Sequence, residues 1–231
     1  MSSDDKMLLI RNYDLWAHIS DAEYDELNIT HCFLEKKKGE YVYFEAHNHN
    51  RLYFLKEGNI KLGYIADDGT EVVREILKKG DIFGQLTLQE NNLNGEFARA
   101  YRKDVSLCAF SIADFEGLLK KKPDLALSYS RKVGKQLKAI ETRLLNLLHK
   151  DVRTRLLRFL ADQVVPAPVK ELPASLPPYL THEDIAQLIA SSRQTVTTLI
   201  NQLETEGLLQ AKGRKLFVPD VKKLQKAAGV G

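Results

Sequence analysis

The sequence predicts an α+β protein built of three consecutive parts: a β-rich body, one long helix, and a small helical unit closed by a hairpin. Three observations predict it. Between Cys32 and Ser111, short apolar or alternating runs recur between turn signals, the texture of an antiparallel sandwich or jelly roll. After Pro123, apolar residues fall at Val133, Leu137, Ile140, Leu144 and Leu147, a heptad spacing that requires one long helix. Residues 181–218 then hold two short amphipathic stretches, a glycine stop and a basic hairpin. A chain of 231 residues accommodates one large domain or two modest ones, each with its own core.

Residues 8–31 read as short helical pieces, with Leu15, Trp16 and Ile19 on one side and Leu27 following. The strand-like runs are Tyr41–Phe44; Leu52 and Phe54; Ile60, Leu62 and Tyr64; Val72-Val73; Ile82-Phe83; and Leu107–Phe110. Gly39, Glu57-Gly58, Asp68-Gly69 and Lys79-Gly80 separate them, and Asp67-Asp68-Gly69-Thr70 is a good hairpin turn. Pro123 suits a first helical turn. The seam from Val133 to Leu147, flanked by Lys, Arg and Glu, reads as a two-stranded homodimer interface. The competing reading is an amphipathic helix packed on its own domain. Gly134 weakens this helix by about 1 kcal/mol against Ala. A break near Lys150-Asp151 precedes a second helix over Val152–Val164. Pro166, Pro168, Pro173, Pro177 and Pro178 then form a connector that cannot be regular helix, and its stiffness limits relative motion of the parts it joins.

Composition is that of a globular protein, with 44% hydrophobic and 28% charged residues. No apolar run approaches the roughly 20 residues that cross a bilayer, and Met-Ser-Ser-Asp-Asp-Lys is no signal core. The expected compartment is the cytoplasm, without membrane partners. Cys32 and Cys108 lie far apart in apolar contexts and read as reduced core thiols, too few for a disulfide framework or an iron–sulfur site. Residues 150–231 carry 12 Lys/Arg against 8 Asp/Glu, while residues 1–149 carry 22 against 23. A basic C-terminal third fits polyanion binding there, although the excess is small.

Residues 181–218 carry the chemistry. Thr181 stands three positions before Asp184, a capping-box-like helix start. Ile185, Leu188 and Ile189 form a buried stripe, small Ala186 and Ala190 allow a second helix to pass close by, and Ser191-Ser192 is a turn that can cap it. The next helix has its core stripe at Val196, Leu199, Ile200 and Leu203 and stops at Gly207. Its other face carries Arg193, Gln194, Thr197, Thr198 and Asn201, all able to hydrogen-bond and none acidic. That is what a helix lying in a major groove needs. Base reading is expected from Arg193, Gln194, Thr197 and Thr198. Leu208-Leu209 and Leu216-Phe217-Val218 flank a wing tip of Lys212-Gly213-Arg214-Lys215; phosphate contacts are expected from Lys212, Arg214, Lys215 and Ser192. A generic helical hairpin with a solvated polar face is the bland alternative, but it does not explain capping, small residues, polar face and basic wing in that order.

From about residue 12 to about 220 the chain resembles the cyclic AMP receptor protein and fumarate–nitrate reduction regulator (CRP/FNR) superfamily. The most specific resemblance is Leu180-Thr-His-Glu-Asp-Ile-Ala-Gln-Leu-Ile-Ala-Ser-Ser-Arg-Gln-Thr-Val196, similar to the family's Ser-Arg-Glu-Thr-Val-like motif. The second is Gly80-Asp-Ile-Phe-Gly-Gln-Leu86, similar to the Gly-x-x-Phe-Gly-Glu-Leu that opens the family's phosphate-binding cassette. The resemblance implies a double-stranded β-helix jelly roll of the cyclic-nucleotide-binding type (residues 1–122), a dimerisation helix (123–150) and a winged helix-turn-helix (151–231). It also implies a DNA-binding transcription regulator with an effector-sensing β domain, acting on double-stranded DNA and, if an activator, on RNA polymerase.

Two departures from the family pattern matter. In the reading helix the family's usual Glu is Gln194 and its commonly basic residue is Thr198, while Arg193 is retained. Arg pairs with guanine and Gln suits adenine, so a palindromic operator with a guanine read by Arg193 is expected, altered at the Gln194 and Thr198 positions. In the cassette the Glu is Gln85, and the usual Arg-Ser or Arg-Ala pair falls on Gly95-Glu96. The implied effector pocket is Gly84, Gln85, Leu86, Gly95, Glu96 and Arg99. A carboxylate at 4 Å from a phosphate costs about 4 kcal/mol at an effective dielectric of 20, so cyclic AMP is disfavoured and the effector is an unknown small molecule or none. Haem ranks below this, with His31, His47, His49, His149 and the cysteines as candidate ligands. No nucleophile motif, metal spacing or Walker-type loop points to an enzyme. A cyclic-nucleotide or haem module sensing without DNA readout leaves residues 181–218 without purpose.

Overall fold

The computed structural model describes residues 31–44, 50–88, 95–165, 173–213 and 215–229. The helical pieces expected over residues 8–31 fall, but for His31, outside the described residues. So do His47, His49, Arg214 and most of the proline connector. The chain divides into two compact units, residues 1–139 and 140–231.

The first unit is a six-stranded antiparallel sheet of β1 (His31–Lys36), β2 (Tyr41–Phe44), β3 (Arg51–Ile65), β4 (Glu71–Leu77), β5 (Ile82–Gly84) and β6 (Glu96–Ser111). The order is β1-β6-β3-β4, with β2 also on β6 and β5 also on β3. Long β3 and β6 therefore pair with each other and with different neighbours at their two ends, which is how one strand serves two layers of a jelly roll. The runs Leu52–Phe54 and Ile60–Tyr64 belong to this single strand β3. Glu57-Gly58, expected as a turn, is a bulge where the β3–β6 register shifts twice. Gly58 has φ +93°, and a Cβ there would lie 2.6 Å from Val105 Cγ1 and 2.8 Å from the Asp104 carbonyl oxygen. Glycine at this point bends the strand instead of ending it. The Asp67–Thr70 hairpin forms as expected: Asp68 Oδ1 accepts from the Thr70 N–H and hydroxyl, at 2.9 and 2.6 Å.

Two apolar clusters fill this unit. One contains Tyr43, Leu55, Ile60, Leu62, Leu77, Phe83, Ala98 and Leu107. The other joins Leu52, Phe54, Cys108 and Phe110 to α1 (Ile112–Lys121) and to the start of the long helix α2 (Pro123–His149) through Phe115, Leu118, Leu125 and Tyr129. Tyr129 donates its hydroxyl proton to the Leu86 carbonyl, and burial pushes its pKa up to about 12. Lys132 Nζ donates to the Gly80 carbonyl at 2.6 Å, and Gln136 to that of Ile82 at 3.3 Å. The two cysteines differ: Cys108 is buried, but Cys32 is exposed. β1 lies at the sheet edge, where Cys32 and Glu35 are exposed and Phe33 and Leu34 are partly covered.

The second unit holds the end of α2, then α3 (Val152–Gln163), α4 (His182–Leu188), α5 (Arg193–Thr205) and α6 (Val221–Ala228), with strands β7 (Ala174–Ser175), β8 (Gln210–Lys212) and β9 (Lys215–Val218). Asp151 separates α2 from α3 and caps the latter, accepting from the Thr154 N–H at 2.9 Å. The hairpin expected as two strands has a third: β7, emerging from the proline connector, pairs with β9. The core is Leu156, Leu157 and Leu160 of α3 against Ile185, Ala186, Ile189, Val196, Ile200 and Leu203, closed by Val218 and by Leu224 and Ala228 of α6. Arg155 donates to the carbonyls of Leu147, in the last turns of α2, and of Ala190, in the α4–α5 turn. Arg158 donates to Asn146 Oδ1 and to the Ala228 carbonyl.

Candidate functional site

The α4–α5 pair has the form expected of it. Thr181 and Asp184 make the full capping box, each side chain accepting from the other's backbone N–H. Ser192 caps α5, its Oγ accepting from the Thr195 N–H at 3.0 Å. Ala190 takes φ +52° to make the sharp turn between the helices, and the Ser191 N–H donates to the Ala186 carbonyl at 2.8 Å. With Val196, Ile200 and Leu203 buried, α5 leaves Arg193, Gln194, Thr198 and Asn201 exposed, and its first turn holds no acidic residue. The side chains of Arg193 and Gln194 make no hydrogen bond or ion pair among the described residues. Thr198 donates to the Gln194 carbonyl at 3.1 Å and keeps its oxygen toward solvent.

Thr197 is different. It is partly buried, donates to the Arg193 carbonyl at 2.9 Å, and lies 2.9 Å from His182 Nδ1. Its hydroxyl is engaged twice within the protein. On the wing, Lys212 and Lys215 are exposed cross-strand partners either side of Gly213, whose φ of +63° closes the turn. Lys212 Nζ stands 5.8 Å over the Phe217 ring.

In the β unit, Gly84 has φ +92°, and a Cβ there would stand 2.5 Å from the Arg51 carbonyl oxygen. Gln85 beside it is buried, its backbone N–H donating to that carbonyl and its Nε2 to Thr87 Oγ1 at 3.1 Å. Gly95 (φ +74°) opens β6, and its carbonyl accepts from the Ile65 N–H. Glu96 is buried: one oxygen accepts from Tyr43 Oη at 2.6 Å and the other pairs with Arg74 at 2.9 Å. Burial, with the Glu96 charge beside it, holds the Tyr43 phenol well above its ordinary pKa, so it serves as a neutral donor. Arg99 does not join Glu96. Strand alternation sends the two to opposite faces of β6, and Arg99 pairs with Glu71, over the rings of Tyr41 and Phe97. The expected grouping of Glu96 with Arg99 is therefore replaced by Glu96 with Tyr43 and Arg74. Arg74 carried a signal, a lone cation within the apolar run Val72–Leu77; Tyr43 read only as one more strand aromatic.

Along α2, Leu137, Ile140 and Leu144 are exposed at 66%, 62% and 55%, as are Leu145 and Leu148 at 47% and 66%. Val133, at the head of the expected seam, instead packs on the cluster of Phe54 and Phe110 in its own unit, and Leu147 is half-buried. The exposed apolar face is shifted toward Leu148 because the first turns of α2 are spent on the β unit.

No helix among the described residues is long and apolar enough to cross a membrane, and no group of three or more His, Cys, Asp or Glu is gathered for a metal. Of the candidate haem ligands, Cys108 is buried with its thiol pushed up in pKa, and His149 is exposed at the end of α2.

Residues 33–122 match the cyclic nucleotide-binding domain family and residues 154–227 the Crp-like helix-turn-helix domain family. The global nitrogen regulator of Synechocystis sp. is 30% identical over 182 residues, covering 77% of this chain and 80% of that protein. The cAMP-activated global transcriptional regulator CRP of Pasteurella multocida is 26% identical over 194 residues, covering 82% and 91%. In fold, the chain is similar to a CooA variant from Carboxydothermus hydrogenoformans, with a TM-score of 0.73 at 24% identity over 96% of this chain and 94% of that one. With a cyclic-nucleotide-binding β domain, a Crp-like reading helix and relatives aligned across both, the chain belongs to the CRP/FNR family of DNA-binding transcription regulators.

Proposed function

We propose that the protein is a cytoplasmic homodimer that reads a palindromic operator with α5. Arg193 pairs with a guanine, Gln194 and Thr198 set the neighbouring positions, and Ser192, Lys212, Arg214 and Lys215 hold the phosphates. The division of labour is sensing in residues 1–122, dimerisation in 123–150 and DNA binding in 151–231. The observation that carries the reading is the α5 surface, where the side chains of an arginine and a glutamine, without hydrogen-bond partners among the described residues, stand on an acid-free first turn. The exposed leucines of α2 support the dimer, since monomers rarely leave so long an apolar stripe in water. RNA polymerase is a partner if the regulator activates.

The effector acts at the β domain and is not cyclic AMP. Glu96 brings a buried carboxylate to the position implied for the phosphate contact, and both of its oxygens are already engaged by Tyr43 and Arg74. A phosphate there would meet the Glu96 charge in a poorly solvated setting. The CRP of Pasteurella multocida is cAMP-activated; the buried, doubly engaged Glu96 argues against the same effector here.

Arg193→Ala tests the reading. In a binding titration on a duplex selected from a randomised pool, the variant loses discrimination at one symmetric base pair, by about 1–3 kcal/mol per half-site. Unchanged operator preference refutes it.

A further inference from the structure

His182 opens α4, and its ring reaches the second turn of α5. Thr197 Oγ1 lies 2.9 Å from two atoms, the Arg193 carbonyl oxygen and His182 Nδ1. A carbonyl oxygen can only accept, so the one hydroxyl proton goes to Arg193. The contact with His182 is then filled by an Nδ1–H donating to the threonine oxygen. This assigns the tautomer, with the proton on Nδ1 and Nε2 left as an acceptor.

The histidine is well placed to hold this state. Thr181 and Asp184 fix the start of its helix. Partial burial and the Arg193 charge both favour the neutral ring, against an opposing pull from Glu204. The result is a relay from the α4 start, through one hydroxyl, to the backbone of the residue proposed to read guanine.

We propose that His182 is a positioning residue for DNA reading: through Thr197 it fixes the first turn of α5 and with it the backbone of Arg193. Thr197, expected to read bases, is committed inside the protein and contributes to specificity by holding its neighbour. The inference rests on the DNA-reading role of α5 and adds a residue to it.

Two measurements test it. Long-range 15N–1H spectra of the full chain at neutral pH, with the His182 signals identified by their absence in His182→Asn, are expected to show the proton on Nδ1; a proton on Nε2 overturns the assignment. The second uses duplexes that the wild-type protein selects from a randomised pool, scored as the ratio of affinity for selected over unselected duplex. His182→Ala and Thr197→Val each reduce this ratio about fivefold to tenfold, the scale of one side-chain hydrogen bond. The double variant falls no further than either single one, because the same contact is lost only once. His182→Asn, which places an amide N–H at the position of Nδ1, returns the ratio to within about twofold of wild type on the same hydrogen-bond scale. Thermal unfolding confirms that each variant is folded. Selective wild-type protein with additive losses, or with His182→Asn as weak as His182→Ala, overturns the relay alone. Wild-type protein that selects no sequence overturns the DNA reading and the relay together.

Discussion

Replacing Leu144 tests the dimer in the middle of the exposed apolar stripe of α2. Leu144 is 55% exposed on α2, seven residues after Leu137 and four before Leu148, each 66% exposed along the same face. Trimming leucine to alanine removes about three methylene equivalents, each contributing about 0.8 kcal/mol when fully buried. Scaled by the exposed fraction, this is about 1.3 kcal/mol per copy, and a two-fold interface loses it twice. Leu144→Ala should therefore raise the dimer dissociation constant by roughly 50-fold to 100-fold. Leu144→Asp goes further, because it sets an unpaired carboxylate in each half of the seam. Sedimentation velocity across a micromolar concentration series reads both shifts, and operator binding should weaken in parallel. Lys135→Ala, two residues before Leu137 and so on the far side of the helix, is the control. A Leu144→Asp protein that stays dimeric with full operator affinity would refute the seam. Val133→Asp is the wrong probe: Val133 packs against the apolar cluster that includes Phe54 and Phe110, so a carboxylate there damages the β unit itself.

Two further outcomes are expected. Ala190→Gly should stabilise the second unit by about 0.5 kcal/mol in thermal unfolding, because relief of the φ +52° conformation exceeds the added freedom of the unfolded chain, with duplex selectivity unchanged. Acidification should destabilise the same unit through His182. Burial first, and the Arg193 charge second, depress its pKa below the ordinary histidine value of 6.5, while Glu204 opposes them. The unfolded chain then takes up the proton first, so this contribution is complete above about pH 6.5 and is lost as pH falls through the folded-state value. Between neutral and mildly acidic pH the wild-type unfolding midpoint should fall relative to that of His182→Asn, whose amide does not titrate; a constant gap refutes the sign.

Much of the fold was legible because it rests on local pattern. Asp67–Thr70 specifies its own hairpin, Thr181 and Asp184 their own helix start, and Val196, Ile200 and Leu203 their own buried stripe. Helix α6 carries equally local signals, an Asp220 cap, the spacing of Val221, Leu224 and Ala228, and a Gly229 stop, and these lie beyond the wing where the motif ends. What the pattern could not give depends on partners distant in sequence. Glu57-Gly58 has the composition of a turn and becomes a bulge only because Val105 and Asp104 of β6 press against it. Val133 fits a heptad as well as Leu137 does, and only the β unit beneath it decides that it is not free. The candidate site divides the same way. The polar face of α5 follows from helical period, whereas the pairing of Glu96 with Arg74, and of Thr197 with His182, joins residues 22 and 15 positions apart. Neither separation is marked by any local motif.

The arginines of α3 have a consequence for the reading geometry. Arg155 binds the closing turns of α2 to the corner before α5, and Arg158 binds them to the end of α6, so Leu144 and Leu148 travel with the DNA-reading unit. In a dimer joined along that stripe, each copy of α5 inherits its location from the leucines it is tied to. In such a dimer that stripe serves as a caliper, and altering how its leucines mesh changes which half-site spacing the two subunits can span.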